Sequence, residues 1–99
     1  MIRRAFLFVF LLCTSCAGEK EYLPGELEFD VSVESAEHTL KTIAETGAEP
    51  VQFCDDVQRH YNQGVAAFER LMPNLKGMSL RNRDMRLQTI REFLEQHCH

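Results

Sequence analysis

The chain has no tryptophan, only two tyrosines, five glycines and three prolines among 99 residues. It contains no low-complexity tract and no internal repeat, which excludes repeat and solenoid architectures. No apolar run approaches the roughly 20 residues that carry a helix across a bilayer. A Gly-rich phosphate loop, a Ser/His/Asp spacing and a nucleophile motif are all missing. Basic residues are outnumbered, 11 Lys+Arg against 15 Asp+Glu, giving a formal charge of −4. That balance argues against nucleic-acid binding. Together these absences point away from an enzyme and from any cofactor.

What is present is concentrated first at the N-terminus. Arg3 and Arg4 precede an unbroken apolar run, Ala5 to Leu12, followed at once by small and polar residues. This is the layout of a secretory signal peptide. Its end, Cys13-Thr14-Ser15-Cys16, resembles the lipobox of bacterial lipoproteins, with Cys13 standing where leucine is usual. The resemblance implies a signal peptide over 1–15, lipidation of Cys16 as the first mature residue, and a membrane anchor. Ala17 after that cysteine implies the outer membrane, with the domain facing the periplasm. The alternative is ordinary cleavage after Gly18, giving a soluble periplasmic protein.

Residues 16–31 read as a tether. Positions 17–26 hold Pro24, Gly25 and little apolar content, as a solvated spacer does. In Leu27-Glu-Phe-Asp-Val-Ser-Val33 apolar residues alternate strictly, a strand pattern. No second strand exists to pair with it. The segment is therefore expected to lie extended against helices, or to add to a partner's sheet edge.

The remainder, 32–99, reads as a small all-α domain. Helices are expected over 33–46, 50–72 and 79–98, forming an antiparallel three-helix bundle. Ser32 or Asp30 is the candidate cap of the first helix, Gly47 its stop, and Ser79 the candidate cap of the third. The expected buried stripes are Val33, Ala36, Leu40, Ile43 and Ala44; then Cys54, Val57, Tyr61, Val65, Phe68 and Met72; then Leu80, Leu87, Ile90, Leu94 and Cys98. Gly64, inside the second helix, suggests close approach of a neighbour.

Cys54 and Cys98 are the two cysteines outside the signal region. Arms of nearly equal length on either side of Pro73–Met78 place both at the open end of a helical hairpin. An exported compartment then favours a disulfide between them. A core this small needs such a staple. His97 and His99 flank Cys98, but neighbouring positions on a helix point about 100° apart, so no metal site is expected.

Charge is uneven. Residues 19–56 hold 11 acids and two bases, whereas 57–99 hold seven bases and four acids. Arg70, Lys76, Arg81, Arg83 and Arg86 gather near the second turn, where positive charge opposes the dipole of the third helix. They form either a contact surface or a solvated face neutralised by acids of the first helix such as Glu34, Glu37 and Glu45. Phe93 is expected to add an apolar spot beside them. The sequence thus suggests a small exported lipoprotein acting as a protein-interaction or accessory subunit of the cell envelope. The alternative is an anion-binding module for lipid phosphate, lipopolysaccharide or an acidic polymer.

Overall fold

Gly25 sets the start of the first helix. Its φ of 88° lies in the left-handed region, and a Cβ there would sit 2.6 Å from the Ala67 carbonyl oxygen. Backbone conformation and close approach both require glycine. The carboxylate of Glu26 accepts a hydrogen bond from the Leu23 N–H at 2.9 Å, closing the turn. Glu26 and Glu28 then put negative charge in the first turn of α1 (Glu26–Thr46), where it offsets the helix dipole. Gly47 ends the helix at φ 71°, its N–H bonded to the Ile43 carbonyl, a left-handed C-terminal cap.

A computed structural model describes residues 21–98. The expected signal peptide over 1–15, Cys16 and the first residues of the expected tether lie outside the described residues, as does His99.

The start of α1 overturns one expectation. Residues 27–33 are helical and not extended, so the helical domain begins at Glu26 and not at residue 32. Asp30 and Ser32 lie inside the helix and cap nothing. The physical reason is that the alternating apolar residues divide between two helix faces. Phe29, Val33, Ala36 and Leu40 repeat at helical spacing and turn inward. Phe29, Val33 and Ala36 are fully buried, with Leu40 packed beside them. Leu27 and Val31, also four apart, face outward and are 50% and 58% exposed. Burial of Phe29 and Val33, about 2 kcal/mol each, decides in favour of helix because no strand partner is available. Farther along, Ile43 is half-buried and Ala44 is exposed, because the core ends near Leu40.

Pro50–Phe53 forms a 3-10 turn that leads into α2 (Cys54–Leu71). A second 3-10 turn, Met72–Asn74, holds Pro73 and ends that helix. The third helix, α3 (Gly77–His97), starts two residues before the expected point. Lys76, in extended conformation, precedes it, and Ser79 lies within its first turn. Met72 is exposed; Leu71, fully buried, takes its place in the core.

The three helices run up, down and up. Glu28 near the start of α1 pairs with Arg70 near the end of α2, and Cys54 at the start of α2 is bonded to Cys98 after α3, their Cα atoms 5.6 Å apart. Val57, Ala67, Phe68 and Leu71 of α2 meet Leu87, Ile90 and Leu94 of α3 and the inner stripe of α1. Gly64 stands where all three helices converge. A Cβ on it would lie 3.0 Å from Val33 Cγ2 and 3.3 Å from Leu87 Cδ2, so the glycine allows the close approach its position in the sequence suggests. No strand occurs among the described residues.

Candidate functional site

The five basic residues singled out in the sequence divide into two groups. Arg70, Arg83 and Arg86 are turned toward α1. Arg70 pairs with Glu28, and Arg83 lies 3.8 Å from Glu26. Arg86 donates two hydrogen bonds to Glu37, from Nε at 3.0 Å and from Nη2 at 2.8 Å. This two-pronged pair is the strongest form of carboxylate recognition. The hydrogen bonds to Glu37 hold the Arg86 guanidinium above its ordinary pKa, although partial burial pulls the other way; the fields of Glu37, Asp30 and Glu34 reinforce the rise.

The guanidinium carbons of Arg83 and Arg86 lie 5.9 and 5.7 Å from the centre of the Phe29 ring, within cation–π range. The basic opening of α3 therefore has an internal explanation. Its arginines cover the buried ring of Phe29 and answer the acids of α1. Glu37, one of the acids named from the sequence, does this; Glu26 and Glu28, at the unforeseen start of α1, do the rest.

Lys76 and Arg81 form the second group. Both are exposed, and neither has an ion-pair partner among the described residues. Arg81 borders a shallow groove of about 440 Å³ with Phe68, Met72, Gly77, Leu80 and Asp84. Phe93 does not join this face. It lies at the opposite end of α3, half-buried, its ring 5.0 Å from that of His97, because its position on the helix turns it toward the core.

A surface that charge did not reveal lies between α1 and α2. Leu27, Val31 and Ala66 line an apolar groove of about 490 Å³, with Ser32 and Gln63 beside them and the Glu28–Arg70 pair at its edge. Its signal in the sequence is the strict alternation at 27–33, which places a second apolar pair on α1 once that segment is helical.

Among the described residues no three His, Cys, Asp or Glu side chains gather to hold a metal ion, and no helix is long and apolar enough to cross a membrane. Comparison with family models, curated proteins and solved structures finds no match.

Proposed function

We propose that the chain is an exported lipoprotein whose helical domain acts as an accessory, protein-binding subunit in the cell envelope, tethered through a lipid on Cys16 and carrying no catalytic site or cofactor. The observation that supports it best is the apolar groove between α1 and α2, with Leu27 and Val31 half or more exposed on a disulfide-closed bundle. An amphipathic helix of a partner fits such a groove, with a small apolar face on Leu27, Val31 and Ala66 and polar ends at Glu28 and Arg70.

The test is photo-crosslinking from position 27 or 31 in the native host. One discrete protein adduct, lost with Val31→Glu when the probe is at position 27, supports the reading. An absence of adducts at both positions in intact envelopes contradicts it.

The alternative, binding of an anionic envelope component, rests on fewer bases than the sequence suggests. Arg70, Arg83 and Arg86 are engaged within the fold, which leaves Lys76 and Arg81 to serve it. Binding of that kind weakens steeply as salt rises; docking into the apolar groove does not.

A further inference from the structure

The chain enters the bundle at the same end as the turn between α2 and α3. Gly25 lies against Ala67 and Arg70 in the last turns of α2, and Glu26 faces Arg83 in the second turn of α3. This end combines exposed apolar side chains with unpaired bases. Tyr22, Leu23, Met72 and Met78 are exposed large apolar side chains, Met78 the most open at 63%. Lys76 and Arg81 stand among them without ion-pair partners among the described residues. From residue 72 to residue 83 the sequence contains no acid. Exposed flexible apolar side chains beside unpaired cations match the boundary of an anionic lipid layer, where acyl chains take the first and headgroup phosphates attract the second.

The geometry of the chain agrees. Leu23 lies seven positions after Cys16, and a stretch of that length reaches at most about 25 Å. A lipid on Cys16 would thus hold this end, and not the disulfide end, close to the bilayer. We propose that the end of the bundle formed by Tyr22, Leu23, Met72, Lys76, Met78 and Arg81 rests on the anionic surface of the membrane. The proposal rests on the lipoprotein reading for the tether alone; the affinity of the end for lipid stands apart from it.

Native methionines provide the probe. Met72 and Met78 lie at the proposed contact, and Met85 lies two helical turns farther along α3, about 10 Å away. The mature chain, purified from its host with ¹³C-labelled methionine methyl groups, is placed on nanodiscs of phosphatidylethanolamine and phosphatidylglycerol that carry a headgroup spin label. The expected result is strong broadening of the Met72 and Met78 signals and weaker broadening of Met85. In Lys76→Ser/Arg81→Ser, or on phosphatidylcholine alone, the broadening of Met72 and Met78 falls severalfold, to what the lipid anchor alone maintains, and in a chain without the lipid it falls to the level of Met85.

Equal broadening of all three methionines on the anionic discs overturns the proposal, even where Cys16 carries its lipid. Broadening that is unchanged by the double substitution and by salt overturns it as well. Selective broadening by a chain whose mass shows no lipid supports the membrane contact and removes only the anchor.

Discussion

Arg86 of α3 holds Glu37 of α1 through two hydrogen bonds, 3.0 and 2.8 Å long, while its guanidinium lies beside the ring of Phe29. This pair ties the first helix to the third above the buried ring. Both side chains retain roughly a third of their exposure, so solvent screens much of the attraction. A double-mutant cycle with Arg86→Leu and Glu37→Gln is expected to give a coupling of about 1 kcal/mol. Arg86→Lys loses most of it, since an ammonium cannot reproduce the fork. Because the folded-state pKa of Arg86 is raised, its contribution is fully present below the ordinary guanidinium range and lost only as pH rises through the raised value. The coupling measured by urea denaturation is therefore insensitive to the charge of Arg86 throughout the neutral range.

Gly64 cannot be enlarged without moving a neighbour. A side chain there meets Val33 and Leu87, both buried. Gly64→Val is expected to destabilise the domain by about 1–3 kcal/mol through overpacking, despite the helix propensity that glycine lacks. For a domain of this size each kcal/mol lowers the melting temperature by roughly 4–8 °C. A melting temperature equal to that of the parent would mean that the helices do not converge at Gly64.

Reduction is expected to remove a large part of the stability. The Cys54–Cys98 bond spans 44 residues of sequence, for which loss of chain entropy in the unfolded state gives on the order of 4 kcal/mol. The net stability of a domain this small is of similar size. Cys54→Ser should therefore lower the melting temperature sharply and leave Cys98 reactive to thiol reagents. A variant that keeps the parent's melting temperature would show that the hydrophobic core suffices alone.

Leu27→Glu and Val31→Glu separate binding from folding. Both positions are exposed, so thermal unfolding should change by no more than about 0.5 kcal/mol. Capture of a groove-binding partner should be lost. Loss of stability together with binding would instead assign both residues to the core.

The bundle was legible because helical spacing, Gly47, Pro73 and the two cysteines all specified the same arrangement. Phe29 carries the inner stripe of Val33, Ala36 and Leu40 one turn earlier, but the alternation of Leu27 to Val33 concealed it. Two helix faces and one strand give the same local pattern when the apolar residues of both faces interleave. The true start of α1 depended on Gly25 meeting the carbonyl of Ala67, a tertiary contact that no local pattern contains. The charges show a related limit. Clustering of Arg70, Arg83 and Arg86 was visible in the sequence, as was Glu37, the partner of Arg86, but Glu28 and Glu26, the partners of Arg70 and Arg83, fell in a segment read as tether. That is why the basic tip is reduced to Lys76 and Arg81 once the fold is known, and why the apolar groove at Leu27 and Val31 emerged only with the structure.

The intact mass of the protein, extracted from the membranes of its native host and measured with and without reduction, tests the central proposal most directly. The account predicts a chain that starts at Cys16, carries acyl groups and gains two hydrogen atoms on reduction. An unlipidated chain starting at Glu19 would contradict it, leaving a free periplasmic domain with no anchor to the envelope.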